Sequence, residues 1–125
     1  MLAVLAAAAI AHSAPFAFNV RDDGANRRFV LDLQNLGRRS LCLSPAMWPN
    51  QHGFIPLTSA EIFVSVGQQT FPLDTFTEDF GADLVRVKSR ATARAYLRYA
   101  AFKLPQALAL KAKVLHLKPA AVTCD

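Results

Sequence analysis

The chain has 125 residues, of which 53% are hydrophobic and 18% charged, and its formal net charge is +5. This length allows one domain with a substantial core, and this composition excludes an intrinsically disordered chain. The positive charges do not form the dense Lys/Arg runs of a nucleic-acid-binding arm, so we expect no nucleic acid partner.

The first element is an apolar run at residues 2–11, which is too short to span a bilayer but long enough for the hydrophobic region of a signal peptide. Small residues follow it and predict a signal peptide over residues 1–13, cleaved after Ala11 or after Ser13. No Lys or Arg precedes the run, so a buried N-terminal helix is the alternative. We therefore expect residues 14–125 to form a single domain that is periplasmic or secreted and not an integral membrane protein.

The chain contains two cysteines, Cys42 and Cys124. An even number of cysteines in an exported chain predicts a disulfide. In the chain-entropy model, a bond that closes a loop of this length stabilises a domain by about 4 kcal/mol.

Beyond the N-terminal run, the dominant hydrophobic period is two. The segment RRFVLDLQNLG, residues 27–37, places Phe29, Leu31 and Leu33 on one face of a predicted strand. EIFVSVG and QTFPL, at residues 61–67 and 69–73, predict a hairpin whose second strand is confined to a sheet edge by its proline. DLVRVKS and KAKVLHLKP alternate in the same way.

The segment SRATARAYLRYAAFKLP, residues 89–105, is ambiguous because its alanines and arginines favour a helix by intrinsic propensity. Its strict alternation favours a strand, and regular alternation outweighs propensity. The complete pattern gives about seven short strands with one disulfide. It predicts an all-β fold, an antiparallel β-sandwich of the immunoglobulin-like type.

The stretch SLCLSPAMWPNQHG, residues 40–53, brings together Cys42, Met47 and His52, which are the residue types of soft-metal sites. Their order differs from the Cys, His, Met order of the cupredoxins, and a disulfide would remove the Cys42 thiolate. We therefore expect no bound metal. The alternative is a copper site in which an N-terminal His12, placed by cleavage after Ala11, resembles a histidine brace completed by His52 or His116.

Basic residues are better organised than the metal-ligand types. Five of them occupy even positions around Tyr96, so we expect consecutive strands to place them on one sheet face: Arg86, Lys88, Arg90, Arg94 and Arg98. The doublets Arg27-Arg28 and Arg38-Arg39 add charge in turns. Such a face suits an acidic protein or an anionic envelope component such as lipopolysaccharide, with Trp48 as a contact anchor if it is exposed. A solvated outer face is the alternative.

The sequence contains no G-x-S-x-G element and no cysteine available beside a histidine, so we expect no enzyme and no cofactor. In size, expected export and expected disulfide, the chain resembles small periplasmic β-sandwich proteins that act by binding, including enzyme inhibitors and toxin-immunity proteins. The leading hypothesis is a non-catalytic exported domain that binds a protein or a polyanion. The alternatives are a periplasmic copper-binding protein and a structural subunit of an envelope or appendage assembly.

Overall fold

The computed structural model describes residues 14–56, 60–74 and 84–124, so the expected signal peptide at residues 1–13 lies outside the described residues. The described ranges form nine strands and three 3-10 helices, at Gly24–Asn26, Tyr99–Phe102 and Gln106–Leu108, and contain no α-helix. The strands are β1 Phe16–Asp23, β2 Arg28–Asn35, β3 Leu41–Leu43, β4 Phe63–Val66, β5 Gln69–Pro72, β6 Val85–Val87, β7 Thr92–Arg98, β8 Val114–His116 and β9 Ala121–Thr123. The all-β class is confirmed, and a search of these residues finds no helix of membrane-spanning length and apolarity.

The nine strands form three antiparallel sheets of three strands each, in the orders β1-β2-β7, β6-β3-β9 and β5-β4-β8. In the first sheet, β2 is the central strand and buries the predicted face of Phe29, Leu31 and Leu33. Strand β1, which the sequence reasoning missed, pairs with β2 over its full length. One hydrophobic cluster collects buried residues from all three sheets.

The ambiguous segment forms a strand, as predicted from its alternation. In β7 the odd-numbered Ala95 and Leu97 are buried and the even-numbered residues are exposed. The strand ends earlier than expected because the chain bends into a 3-10 helix at Tyr99. The predicted hairpin is also present: β4 and β5 join through Gly67, at φ +58°, and β5 lies at the edge of its sheet.

Asn35 ties two of the sheets together. Its side chain is fully buried at the end of β2 and donates to the carbonyls of Arg39 at 2.8 Å and Val87 at 3.0 Å. Its amide oxygen accepts from the backbone N–H of Gly37 at 2.9 Å. Because a buried amide with satisfied donors and acceptor stabilises a single arrangement, this residue fixes the position of β6 relative to β2.

The predicted disulfide is present between Cys42 on β3 and Cys124, which follows β9. The two Cα atoms are 5.7 Å apart and 82 residues apart in sequence. Since β3 is the middle strand of its sheet, the bond fixes the residue that follows β9 to the centre of that sheet.

Replacing both cysteines by alanine should lower the free energy of unfolding by about 4 kcal/mol, because the open chain regains the loop entropy of the unfolded state. Urea denaturation of the oxidised protein and of the Cys42→Ala/Cys124→Ala variant measures this difference. A loss below about 1 kcal/mol would contradict the stabilising role of the bond.

A polar cluster attaches the segment after β7 to the first sheet. The Tyr99 hydroxyl donates to Asp22, and the buried Lys113 ammonium lies 3.0 Å from the same carboxylate and 2.8 Å from the Ala109 carbonyl. Burial, followed by the hydrogen bond to Asp22, raises the pKa of Tyr99 well above its ordinary value of 10.

This shift makes stability sensitive to high pH. The folded protein keeps the Tyr99 proton at a pH where the unfolded chain loses it, so this contribution to stability is present below pH 10 and decreases above it. Between pH 10 and pH 11 the free energy of unfolding should fall by about 1 kcal/mol. Chemical denaturation at a series of pH values measures it. The Tyr99→Phe variant should show a shallower slope, and an unchanged slope would contradict the assignment.

Candidate functional site

The outer face of the β1-β2-β7 sheet carries charged side chains in cross-strand rows. The register aligns three such rows across the sheet: Asn19 with Asp32 and Arg94, Arg21 with Val30 and Tyr96, and Asp23 with Arg28 and Arg98. Val30 belongs to this face yet is only 2% exposed, because its cross-strand neighbours cover it. The solvent-exposed surface of this face is therefore polar, because the side chain of Val30 is buried.

The first row is internally neutral. Arg94 donates to both carboxylate oxygens of Asp32, at 2.7 Å and 3.0 Å. The hydrogen bond from Arg94 holds the pKa of Asp32 below its ordinary value, so this carboxylate stays ionised at neutral pH. The fork arrangement is bidentate and geometrically specific. The charge of the Arg94 guanidinium is therefore already paired with a carboxylate of the same sheet.

The second and third rows share an aromatic contact. The Arg28 guanidinium carbon lies 3.9 Å from the centre of the Tyr96 ring, in cation–π geometry, and its Nε lies 3.2 Å from Asp23. The Asn26 side chain, and then Arg28, lower the pKa of Asp23 by hydrogen bonding. Tyr96 is 38% exposed, so it keeps part of its surface for contact with another molecule.

Arg98 joins β7 to the tip of the loop at residues 50–53. Its backbone N–H donates to the Gly53 carbonyl at 2.9 Å, and its Nε donates to the His52 carbonyl at 3.0 Å. Gly53 has φ +86°, and a Cβ there would lie 2.7 Å from the Arg98 Cγ. The loop tip is itself shaped by the Asn50 side chain, which accepts from the backbone N–H groups of His52 and Phe54.

These elements enclose a groove of about 800 Å³. Three segments line it: the turn at residues 26–28, the loop tip at residues 51–53, and the end of β7 with the residues up to 104. Among the residues that the structure describes, four cationic side chains and no carboxylate line this groove: Arg27, Arg28, Arg98 and Lys103. We call this space the basic groove.

Two carboxylates contact the cations of the basic groove from outside its lining. Asp23 pairs with Arg28, and Asp74 lies 2.9 Å from the Lys103 ammonium. Arg27 and Arg98 have no ion pair within residues 14–56, 60–74 and 84–124. Within these described ranges the groove therefore has more cations than contacting carboxylates.

The structure brings some of the predicted binding residues together and separates others. Arg94, Tyr96 and Arg98 lie in a line on the outer face of β7. Arg86 lies on β6, which belongs to a different sheet, and Lys88 follows it in the turn. The expectation of one common sheet face is wrong for these two, because the chain turns at residues 88–91 and β7 then pairs with β2 instead of β6. The Arg86 guanidinium instead donates to the Cys124 carbonyl at 2.8 Å.

Trp48 does not meet the condition set for a contact anchor. It is 4% exposed and packs in the core, with its ring 6.2 Å from the Phe18 ring. Because the hypothesis required an exposed indole, Trp48 is not available as a contact anchor in this structure.

The candidate copper ligands are placed on separate elements. Cys42 is bonded to Cys124, His52 is at the loop tip beside β7, and His116 is on β8, where its Nε2 is 2.9 Å from the Ser65 hydroxyl. His12 lies outside the described residues. No group of three or more His, Cys, Asp or Glu side chains in the described part of the chain could hold a metal ion.

The sequence reasoning missed the basic groove as a unit. It noted Arg27-Arg28 only as charge in a turn and did not single out Lys103. Both Arg27 and Lys103 lie at backbone turns, where no hydrophobic period indicates a side chain's direction. The sequence could have indicated the groove only through two basic residues that each end a short turn, Arg27 before β2 and Lys103 after β7. Their proximity can be inferred only when the pairing of β2 with β7 is known.

Substituting Gly53 should disturb the groove through Arg98. Gly53→Ala combines an unfavourable positive φ with a contact that displaces the Arg98 side chain, whereas Gly67→Ala at φ +58° meets no atom within 4 Å. We expect Gly67→Ala to cost about 1 kcal/mol and Gly53→Ala about twice as much. Urea denaturation of both variants measures the two losses, and equal losses would show that Arg98 is not held against the loop tip.

Comparison with known proteins gives no family for this chain. No protein-family model, curated protein or solved structure matches it. The function proposed for the basic groove and its surrounding face therefore depends on their geometry and charge.

Proposed function

We propose that the chain is an exported, non-catalytic domain that binds an anionic partner, a protein or a polyanionic envelope component, through the outer face of the β1-β2-β7 sheet. One observation carries this proposal: Arg27 and Arg98 line a concave surface to which the described residues contribute four cations and no carboxylate. Uncompensated guanidinium groups on a concave surface concentrate positive potential and attract anions.

The disulfide supports the exported location. Disulfides persist in oxidising compartments such as the periplasm and the extracellular space, and Cys42–Cys124 closes most of the described chain. The apolar run near the N-terminus has the length and the small residues of a signal peptide. We therefore propose a periplasmic or secreted protein.

For the arrangement of the sheets, we propose an immunoglobulin-like sandwich. The support is that all three sheets contribute buried side chains to one hydrophobic cluster, as the two layers of a sandwich do around a shared core.

The carboxylates of the face support binding over catalysis. Asp32 is occupied by Arg94, and Asp23 by Asn26 and Arg28, and both have pKa values below the ordinary value. A general acid or base needs a pKa near the working pH, so neither group is suited to proton transfer at neutral pH.

Neutralising this face should weaken binding to a polyanion. The Arg21→Gln/Arg98→Gln variant should elute from immobilised heparin at a clearly lower salt concentration than the unmodified protein, because two contacts with anionic groups are lost. The measurement is the salt concentration at elution.

The matched control is Arg86→Gln/Lys88→Gln, which removes the same charge from β6 and from the turn that follows it. It should elute close to the unmodified protein. If the control variant loses as much retention as the first variant, binding follows net charge and the assigned face is wrong. Thermal melts of both variants show whether the fold is retained.

A further inference from the structure

The basic groove concentrates arrangements that are unfavourable for the protein alone. Arg28 and Arg98 are direct cross-strand partners on the exposed face of the first sheet. Like charges in directly opposite positions destabilise a sheet. Arg28 is partly compensated by Asp23 and Tyr96, but Arg98 has only the neutral His52 carbonyl as its side-chain partner in the described part of the chain.

Two other cations of the groove lie at strained backbone positions. Arg27 has φ +54° and Lys103 has φ +49°, which is the left-handed region that favours Gly and Asn. Each placement is unfavourable relative to a glycine. The two residues end separate 3-10 helices, yet both line the same groove. Backbone strain and like-charge pairing that meet at one concavity indicate a functional role.

Two of the guanidinium groups are already oriented. The bond from Arg98 Nε to the His52 carbonyl fixes the plane of its guanidinium group, and no described residue accepts a hydrogen bond from its two Nη nitrogens. The contact with Tyr96 orients the Arg28 guanidinium. Preorganised donors lose little conformational entropy when a ligand binds, and a guanidinium fork matches the oxygens of phosphate and sulfate.

We propose that the basic groove is a binding site for a compact ligand carrying two or more phosphate or sulfate groups, of roughly the size of a disaccharide. The proposal rests on the proposed function and names the ligand class of the same face. The groove volume of about 800 Å³ lies within the range of small-ligand sites. In this proposal one anionic group of the ligand lies between the side chains of Arg28 and Arg98, and another contacts Arg27 and Lys103.

A compact oxyanion fits this groove better than an acidic protein does. Protein interfaces depend on buried apolar or aromatic anchors at their centre. The groove is concave, and among the described residues its formally charged side chains are all cations and Tyr96 is its one Phe, Tyr or Trp side chain. A flat acidic surface would not follow the concave wall of the groove.

The test uses the complete mature protein and inorganic tripolyphosphate as the probe, with binding measured by titration calorimetry. The Arg27→Asn/Lys103→Asn variant should bind at least tenfold more weakly, since two charge-assisted contacts are lost. Its melting temperature should equal or exceed that of the unmodified protein, because Asn suits a left-handed backbone. The Arg86→Gln/Lys88→Gln variant is the charge-matched control and should bind like the unmodified protein.

Three results would overturn the proposal: undetectable binding of tripolyphosphate, equal weakening in the control variant, or a groove variant that binds as the unmodified protein does. If tripolyphosphate does not bind while heparin retention still depends on Arg21 and Arg98, the groove proposal fails and the proposed function stands. If neither ligand binds, both fail. A polyglutamate peptide that binds while tripolyphosphate does not would assign the groove to an acidic protein instead.

A second arm distinguishes the sources of the oxyanion. Vesicles of phosphatidylcholine with 20% phosphatidic acid, a fraction on the order of that of anionic lipid in natural membranes, present phosphate monoesters on a surface. Groove-dependent sedimentation with these vesicles assigns the ligand to a lipid headgroup. Binding of tripolyphosphate without sedimentation assigns it to a soluble ligand, and either result supports the oxyanion class.

Discussion

The antiparallel pairing of β2 with β1 on one side and β7 on the other is the constraint on which the rest of the structure depends. The register is continuous over eight residue pairs with β1 and seven with β7. Because side chains alternate between faces, this register places Leu31 and Leu33 in the core and Arg28 and Asp32 on the outer face. A slip of one residue would exchange the two sets, so the core that stabilises β2 also fixes the charge pattern of the surface.

That charge pattern divides the outer face into two parts with different properties. Around Asp32 and Arg94, opposite charges meet in geometry good enough for a bidentate contact, and the row is self-sufficient. Arg28 and Arg98 are like charges in directly opposite positions, and the ion pair of Arg28 with Asp23 compensates only part of their repulsion. Cross-strand pairs contribute a few tenths to 1 kcal/mol with a sign that depends on charge. The first part is therefore favourable for folding alone, and the pairing of Arg28 with Arg98 in the second part is not.

Much of the fold could be predicted from the sequence, because strand periodicity and cysteine pairing are local or combinatorially simple. The alternation in residues 89–105 correctly indicated a strand against its helical propensity, and two cysteines allow one intrachain pairing. The common face of Arg86 and Arg94 could not be predicted, because parity along the chain has meaning only within one sheet and the turn at residues 88–91 leads from one sheet to another. The burial of Trp48 could not be predicted, because it lies in a loop where no hydrophobic periodicity indicates the direction of a side chain.

The basic groove could not be predicted from the sequence for the same reason. Arg27, Lys103 and the His52 carbonyl come from three turns, and they meet only because β2, β7 and the loop tip are held together by tertiary contacts. Strain at two left-handed residues costs roughly 2 kcal/mol in total, a sizeable part of the 5–15 kcal/mol that stabilises a small domain. Each charge-assisted hydrogen bond to a bound anion is worth about 1.5–3 kcal/mol, so two of them offset that cost. A groove built in this way is less stable when empty than when occupied, and a bound oxyanion should stabilise the fold as well as fill the site.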